Sequence, residues 1–351
     1  MTTGVALLNF GEPAEPTRES VVPYLQRIFE ANATLEEADT AAEAAERARE
    51  LAERRAPGLI EEYEAIGGSP LIPQARAQAD ALADELAARG YDAETYVGMQ
   101  FTEPTIADAV DAARADDVDR LVGLPVYPLC GPSTTVQALR TMAETVTELG
   151  WEVPVGEVTG WHRHPQYNRL RADAIRETVA DLDASLTDPA TALVFSAHGT
   201  PTKYLDAGSR YDRYVEEYCE TQARLVSAPS YRVGFQNHEN RDIPWTEPEV
   251  EDVVADLDDA DRVVVDPVSF MHEQSETLSE LDEDLRDTAE AAGIAFHRVP
   301  VPHDDARFAG VLADLVEPFA AGFDPGYYRL QPCRCRSADG AVCLNADPAA
   351  R

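Results

Sequence analysis

A histidine in the stretch at residues 195–201 (FSAHGTP) is the first side chain whose position suggests chemistry. The run at 191–194 before it predicts a buried parallel strand, and Gly199 and Pro201 after it break the chain. His198 is therefore expected at the carboxyl end of a strand, where ligands bind in open α/β sheets. A neutral imidazole can accept a proton at about pH 7 and can bind ferrous iron. A histidine that only packs at a turn is the alternative.

Three carboxylates spaced four residues apart form the second candidate group. Glu276, Glu280 and Asp284 follow a predicted strand at 263–270, and on a helix this spacing places them along one face. An acidic stripe is usually just a solvated face, particularly in an acidic protein. Because this one begins after a predicted strand, whose carboxyl end can border a ligand site, it is also a candidate path along which protons leave or a metal enters.

Three of the five cysteines lie near the C-terminus, where Cys333, Cys335 and Cys343 fall within eleven residues. The tail around them is rich in Arg, Ala and Asp, so it is not expected to bury cysteines as small hydrophobic residues. Structural disulfides are not expected in a reducing compartment. The crowding therefore suggests a bound metal. A zinc site, whose usual spacers are longer, and a disordered tail with free thiols are the alternatives.

The charge of the chain is strongly one-sided. It has 65 acidic and 29 basic residues, a net charge of −36, and Lys203 is its only lysine. The acidic residues are dispersed, which argues against a nucleic-acid or anionic-membrane surface, since either would need a basic patch. The composition resembles that of cytoplasmic proteins from extreme halophiles, in which salt screens the repulsion between carboxylates. No signal peptide or transmembrane segment is recognisable, so a cytoplasmic location is expected.

Predicted strands and helices alternate along the chain, as in βαβ units with parallel sheets. The pattern predicts an α/β protein with two similar halves that face each other across a cleft. The first covers residues 1–150 and the second residues 151–322, with a last helix that can pack back on the first half; a cysteine-containing tail covers 323–351. The segment at 31–55 is predicted to be an exposed helix or a lid. No glycine-rich nucleotide-binding motif follows a strand, so no nucleotide cofactor is expected.

Eight short motifs occur in a fixed order along residues 5–320. They are LLNFGEP at 7–13, VPYLQRIF at 22–29, GGSPL at 67–71, GMQFTEPTIADAV at 98–110, LPVYP at 124–128, FSAHGTP at 195–201, PW at 244–245 and SETLSELDED at 275–284. In these motifs the chain resembles ferrochelatase, the enzyme that inserts ferrous iron into a porphyrin at the end of haem synthesis. The resemblance implies two doubly wound, Rossmann-like parallel-sheet domains with a porphyrin clamped between them.

The chemistry of that reaction suits the candidate residues. A free-base porphyrin carries two inner N–H protons that must leave before a divalent cation can take their place, so the site needs a base, a metal relay and apolar walls. By resemblance, His198 and Glu276 are the catalytic residues and contact the substrate iron. Glu280 and Asp284 then form the proton or metal path. The resemblance surrounds the porphyrin with Phe10, Phe101, Trp245 and Phe270, for each of which ordinary core packing is the alternative.

Some ferrochelatases carry a [2Fe-2S] cluster held by three cysteines near the C-terminus and one from the first domain. By resemblance, Cys333, Cys335 and Cys343 supply three thiolates, and Cys130 is the expected fourth because it lies close to where relatives supply theirs. Cys219, within a predicted helix at 211–226, is the weaker candidate and is expected to be a core thiol.

Two other functions remain open at this stage. A cobalt or nickel chelatase acting on sirohydrochlorin would share the fold but would be expected to use a second histidine near the cleft, for which His272 and His238 are the candidates. A tetrapyrrole carrier would bind haem without making it. The sequence leaves open whether the porphyrin is protoporphyrin IX or coproporphyrin III, and whether other enzymes of the haem pathway are partners.

Overall fold

The computed structural model describes residues 1–32, 40–237, 243–323, 331–333, 335–336 and 338–345. Its strands form two sheets, one of six strands and one of four. Along the chain, helices separate the first four strands of the larger sheet from one another, and they also separate the four strands of the smaller sheet. Parallel pairing requires such crossover connections.

The first sheet begins with four parallel strands in the order β2-β1-β3-β4. These strands are β1 (Thr3–Asn9), β2 (Ala93–Met99), β3 (Arg120–Pro125) and β4 (Val155–Val158). The helices of this half are α1 (Arg18–Ala31), α2 (Ala41–Ala65), α3 (Leu71–Ala88), α4 (Ile106–Ala115) and α5 (Gln137–Glu148), with a π-helical turn at Pro132–Val136 before α5.

The second sheet has four parallel strands in the order β6-β5-β7-β8. These strands are β5 (Thr191–His198), β6 (Arg232–Gln236), β7 (Arg262–Pro267) and β8 (Ala295–Arg298). The helices are α6 (Pro165–Asp181), α7 (Thr202–Asp206), α8 (Tyr211–Leu225), α9 (Val250–Ala255), α10 (Arg286–Ala291) and α11 (Ala306–Ala320), and a π-helix at Glu276–Leu285 runs directly into α10.

The two sheets repeat the same strand order, second-first-third-fourth, which confirms the predicted pair of similar parallel α/β halves. In each half the chain order reverses beside the first strand, β1 or β5, and such a switch point opens a crevice at the carboxyl ends of the strands. The central strand β1 is buried along its whole length. Helices cover both of its faces, which is why it reads as a continuous apolar run in the sequence.

The first sheet extends past the boundary predicted at residues 150/151. Strand β4 follows that boundary but pairs with β3. The described part of the tail continues the same sheet, because β10 (Ala341–Cys343) pairs in parallel with β4 and β9 (Gln331–Pro332) pairs antiparallel with β10. The described residues of the tail are therefore joined to the first half. Their pairing covers the backbone groups that the β4 edge would otherwise expose.

Helix α11 joins the two halves. It packs against α3, β1 and β3 of the first half and against α6 of the second. On α3, Arg89 Nη1 donates to Asp314 at 2.6 Å and to Glu317 at 2.8 Å, both on α11. Among the described residues, no helix is long and apolar enough to cross a membrane.

Candidate active site

A cleft of about 880 Å³ opens at the carboxyl ends of the parallel strands and takes side chains from both halves. Its walls come from α1 and α2, from the segments that follow β1, β3, β5 and β7, and from the start of the π-helix. A cleft of this size can hold a small organic ligand or cofactor. Of the residues predicted for the site, it brings together His198, Glu276, Glu280, Phe10, Trp245 and Phe270.

His198 is the last residue of β5 and lines this cleft. Its Nδ1 lies 2.7 Å from the carbonyl oxygen of Gly199. Because a carbonyl oxygen only accepts, Nδ1 carries the proton, and the lone pair of the neutral ring is on Nε2. The next position requires a glycine, since a Cβ on residue 199 would overlap the side-chain amide of Asn237. The imidazole is thereby held in the tautomer that can accept a proton or bind a cation through Nε2.

Aromatic rings border His198 on the cleft wall. The ring centroid of Trp245 is 6.4 Å from that of His198, and the centroid of Phe270 is 6.2 Å away. Phe10 lines the cleft from the first half. Phe101 does not line it: only 4% of Phe101 is exposed, and its ring packs edge-on behind Phe10 at 4.6 Å. Phe101 therefore supports the wall from behind.

The acidic residues lie on a π-helix instead of the α-helix expected from their spacing. A π-helix has i→i+5 hydrogen bonds and more residues per turn, so positions four apart lie closer to one line along its surface. Glu276 and Glu280 line the cleft, and Asp284 is exposed beyond them. The stripe therefore leads from the cleft to solvent. Isolated π-helical turns are frequent at functional sites.

Amide side chains hold the two inner carboxylates. Gln274 Nε2 donates to Glu276 Oε2 at 2.8 Å, and Gln236 Nε2 donates to Glu280 Oε2 at 2.8 Å. Burial, followed by the negative charge of Glu276, raises the pKa of Glu280 to about 8. Neutral Glu280 beside a charged carboxylate can take up and release protons at about neutral pH.

Glu12 is a site residue that the sequence reasoning missed. It follows Gly11, whose φ of +89° turns the chain after β1, and only 2% of it is exposed. Glu12 Oε1 accepts hydrogen bonds from Tyr63 Oη at 2.8 Å and from Ser275 Oγ at 2.6 Å, and Ser69 donates to Oε2. Glu12 lies in the LLNFGEP motif, but nothing in its spacing indicated that it points inward.

Three arginines of α2 were also missed. Arg47, Arg54 and Arg55 line the cleft, and Arg55 lies 4.0 Å from Glu62, another lining residue. These three guanidinium groups, beside the carboxylate of Glu62, give this wall hydrogen-bond donors for an acidic ligand. The Arg54-Arg55 pair was a visible signal, within the segment at 31–55 that was predicted to be an exposed helix or a lid.

The two histidines considered as second cleft ligands do not support that role. His272 is 3% exposed and is not among the cleft-lining residues, and burial lowers its pKa to about 3. His238 lies outside the described residues. Among the residues that the structure describes, His198 is the one histidine that lines the cleft.

A second group of reactive side chains lies beside the cleft. The Sγ atoms of Cys130, Cys333 and Cys335 are all within 4.8 Å of one another. The neighbouring thiols, first that of Cys130 and then those of Cys335 and Cys343, lower the pKa of Cys333. Cys343 ends β10 and is 3% exposed. Cys219 is fully buried in the core formed with α8 and is not in this group.

Two hydroxyl groups also point at these sulfurs. Thr159 Oγ1 lies 3.1 Å from Cys333 Sγ, and Tyr214 Oη lies 3.5 Å from Cys335 Sγ. Cys130 follows Pro128 and Leu129 and precedes Gly131, all three of which line the cleft. The thiol group and the cleft are therefore built on the same loop after β3.

Comparison with known proteins identifies the family. The ferrochelatase family model matches residues 2–319. Curated relatives named ferrochelatase include one from Synechococcus sp. (strain JA-3-3Ab), 35% identical over 335 residues, with 93% of this chain and 96% of the relative covered. Another, from Gloeobacter violaceus, is 32% identical over 321 residues, covering 89% of this chain and 96% of the relative.

A solved structure has a similar fold. The solved structure of SirB from Bacillus subtilis with Fe3+ matches with a TM-score of 0.50 at 10% identity, over 92% of this chain and 97% of SirB. At this identity the likeness concerns the fold alone. The family match along residues 2–319 and the curated relatives, in keeping with the two mainly parallel sheets around one cleft, show that this chain belongs to the ferrochelatase family.

Proposed function

We propose that the protein is a metal chelatase that inserts ferrous iron into a porphyrin, with release of two protons, in haem biosynthesis. The observation that carries the proposal is the meeting, in one cleft, of His198 with its Nε2 lone pair, the carboxylate of Glu276 and an aromatic wall. The family membership supports the same reaction.

The proposed mechanism assigns one proton to each reactive side chain. Two N–H bonds of the porphyrin break, and their electron pairs stay on the nitrogens and bind the iron. His198 Nε2 takes one proton and the Glu276 carboxylate takes the other. Neither the iron nor the protein changes oxidation state in this scheme. The apolar faces of Phe10, Trp245 and Phe270 exclude water from the ring and hold it in place.

The row formed by Glu276, Glu280 and Asp284 offers a route between the cleft and solvent for protons and iron. Glu280 follows Glu276 on the π-helix, and exposed Asp284 follows Glu280. With its pKa raised to about 8, Glu280 is neutral in part at neutral pH and can hand protons outward, while iron can enter in the opposite direction. This path is a proposal drawn from the order of the three side chains along one surface.

The arginines on α2 suit the acidic groups of the substrate. Porphyrins of the haem pathway carry propionate side chains, and guanidinium groups bind carboxylates through paired, charge-assisted hydrogen bonds. Arg54 and Arg55 are adjacent, and Arg47 lies about two helical turns earlier on the same helix. We therefore place the propionate edge of the ring towards α2. Protoporphyrin IX and coproporphyrin III both fit this description.

We also propose that Cys130, Cys333, Cys335 and Cys343 hold a [2Fe-2S] cluster. The donor set fits: four thiols are the ligands that such a cluster needs, three already lie within 4.8 Å of one another, and Thr159 and Tyr214 present hydroxyls to the sulfurs. When bound, a cluster would supply a link between the tail and the loop after β3. A Cys₄ zinc site is the competing outcome.

An anaerobic assay tests the proposed reaction. Purified protein is mixed with ferrous iron and either protoporphyrin IX or coproporphyrin III, at low and high salt, and metalloporphyrin is measured by its absorption. Many turnovers per protein are expected with one or both porphyrins. A single equivalent would instead indicate a haem carrier, and turnover only with cobalt or nickel and sirohydrochlorin would indicate the other chelatase class. A cytoplasmic location and contacts with other haem-pathway enzymes stay predictions.

A further inference from the structure

Glu12 is a buried carboxylate that has no role in the mechanism proposed above. It is 2% exposed, and its hydrogen-bond partners among the described residues are neutral: Tyr63, Ser69 and Ser275. A carboxylate buried among neutral donors is costly to ionise, and such a group beside a cleft is a candidate for proton transfer. Glu12 also makes one of the contacts between the halves, because it follows β1 whereas Ser275 precedes the π-helix of the second half.

The hydroxyl of Ser275 lies between two carboxylates. Ser275 Oγ is 2.6 Å from Glu12 Oε1 and 3.0 Å from Glu276 Oε2. A serine hydroxyl has one proton and can donate to only one acceptor at a time. We take the serine proton to lie towards Glu12 Oε1, which is the nearer of the two carboxylate oxygens. Ser275 Oγ can then form a hydrogen bond with Glu276 only as an acceptor, which requires that Glu276 is protonated. The three groups then form a chain in which every donor faces an acceptor.

The hydrogen bonds from Glu276 through Ser275 to Glu12 lead away from the cleft. Glu276 lines the cleft, whereas Glu12 lies behind it and does not. Gln274 Nε2 also donates to Glu276 Oε2, and the backbone N–H of Ser275 donates to Glu12 Oε1 at 3.1 Å, so both carboxylates are held in place. A proton that reaches Glu276 can therefore move away from the porphyrin without crossing the site where iron enters.

We propose that Glu12 is the terminal acceptor of a proton relay that runs from the porphyrin N–H through Glu276 and Ser275 Oγ to Glu12. The porphyrin N–H bond breaks and an O–H bond forms on Glu276. That proton then passes to Ser275 Oγ as the serine proton passes to Glu12 Oε1, so two O–H bonds break and two form. The electron pair stays on the porphyrin nitrogen and binds the iron. Glu12 does not line the cleft, so it acts through Ser275 and Glu276 as a positioning residue. The relay presupposes the iron-insertion reaction proposed above.

The surroundings of Glu12 suit an acceptor that works at neutral pH. Burial, followed by the charge of Glu276, raises its pKa to about 7, while the hydrogen bonds from Ser275, Ser69 and Tyr63 oppose the rise. Tyr24 of α1 and Tyr63 of α2 are the other titratable groups that face it, and burial raises the pKa of both well above the ordinary value, so both stay neutral. Glu12 can therefore take up the proton during insertion and return it through Ser275 Oγ to Glu276, from which it leaves along Glu280 and Asp284 before the next cycle.

Substitutions at the two ends of the Glu12–Ser275 contact test the relay. Glu12→Gln keeps the size and an accepting oxygen but cannot take a proton, and Ser275→Ala removes the bridge. We expect each to lower kcat at least roughly 10-fold, below the roughly 10²–10⁴-fold of a directly acting acid or base, with KM for porphyrin and iron unchanged. The double variant should be no slower than the slower single variant, and Ser275→Thr should restore most of the rate.

The pH profile separates the relay from a merely structural contact. Wild-type kcat should fall as the pH drops below about 7, because Glu12 is then already protonated. In Glu12→Gln this fall should move to lower pH. Changes in KM or melting temperature alone, with kcat above roughly a tenth of the wild-type value, would overturn the relay. If the wild type itself shows no multiple turnover, the proposed function and the relay both fail; normal wild-type turnover with an unaffected Glu12→Gln sinks the relay alone.

Discussion

Gln236 Nε2 lies 2.8 Å from Glu280 Oε2, so the last residue of β6 holds a carboxylate of the π-helix. This hydrogen bond favours the ionised carboxylate, but burial and the charge of Glu276 outweigh it and raise the pKa of Glu280 from 4.5 to about 8. The folded protein thus retains a proton that the unfolded chain would release. That difference links the site to the stability of the whole molecule.

The first prediction concerns stability between pH values of about 4.5 and 8. Because folded Glu280 stays protonated there while the unfolded chain ionises, its contribution to the free energy of unfolding falls as the pH rises through this window. Glu280→Gln should remove that contribution. The fall in melting temperature between about pH 5 and pH 8, measured at constant high salt, should shrink by at least roughly 2 °C. Exposed Glu283 on the same helix gives the matched control, and a Glu283→Gln curve that shrinks equally would contradict the prediction.

The second prediction concerns His198. His198→Ala removes the Nε2 lone pair, and we expect the rate of iron insertion to fall by roughly 10²–10⁴-fold while porphyrin still binds. Absorbance titration measures binding, and the anaerobic assay measures turnover. His297→Ala, on β8 and away from the cleft-lining residues, is the control that should keep normal turnover. More than about a tenth of the activity in His198→Ala would return this histidine to a packing role.

Much of the fold could be predicted from the sequence because its signals are local. The apolar run that became β5 and the chain breakers Gly199 and Pro201 determine where His198 lies, and no long-range contact was needed to infer it. The position of β4 was not predictable in this way. Whether a short strand joins the first or the second sheet depends on which edge it meets, and the pairing of β4 with β3 and β10 is a long-range property.

The sequence predicts the site residues whose amino-acid type indicates their chemistry. It does not predict those that belong to the site because they are buried. The position of Cys130 relative to the family's motif favours it over Cys219, and the structure groups Cys130 with Cys333 and Cys335. Glu12 was missed because a carboxylate in an acidic chain is expected on the surface. Its inward direction follows from the turn at Gly11 and from partners as distant in sequence as Ser275. Contacts between residues so far apart in the sequence produce no repeating pattern of residue types from which they could be predicted.

The third prediction tests the cysteine ligands. Anaerobically purified protein should be reddish-brown with two irons and two sulfides per chain, as a [2Fe-2S] cluster requires. Cys130→Ser and Cys333→Ser should each lose the visible absorption. Cys219→Ser should keep it, because Cys219 is buried in the core outside the cysteine group. A colourless protein with stoichiometric zinc would replace the cluster by a zinc site, and full colour in Cys130→Ser would exclude this cysteine as a ligand.

The fourth prediction concerns the arginine wall. Arg54→Ala should raise KM for the porphyrin roughly 10-fold with little change in kcat, because a carboxylate contact made equally in the ground and transition states affects binding alone. Arg49→Ala is the matched control, since Arg49 is exposed on the same helix and is not among the cleft-lining residues. Equal effects of the two substitutions would indicate a general loss of positive charge on α2. An unchanged KM in Arg54→Ala would remove this residue from the propionate contacts.

The last prediction follows from the net charge of −36. At an ionic strength of about 0.1 M the Debye length is ~10 Å, so carboxylates on neighbouring surface elements repel one another, whereas at about 1 M it is ~3 Å and the repulsion is largely screened. The compact state should therefore gain stability with salt, because the unfolded chain spreads the same charge over a larger volume. Melting temperature is measured in potassium chloride from about 0.1 M to 1 M and above, and it should rise throughout. Sodium sulfate would also strengthen apolar burial, so the chloride series is the relevant one. A melting temperature that stays constant over this range would show that the dispersed carboxylates do not destabilise the fold, and the likeness to halophile composition would then have no consequence for stability.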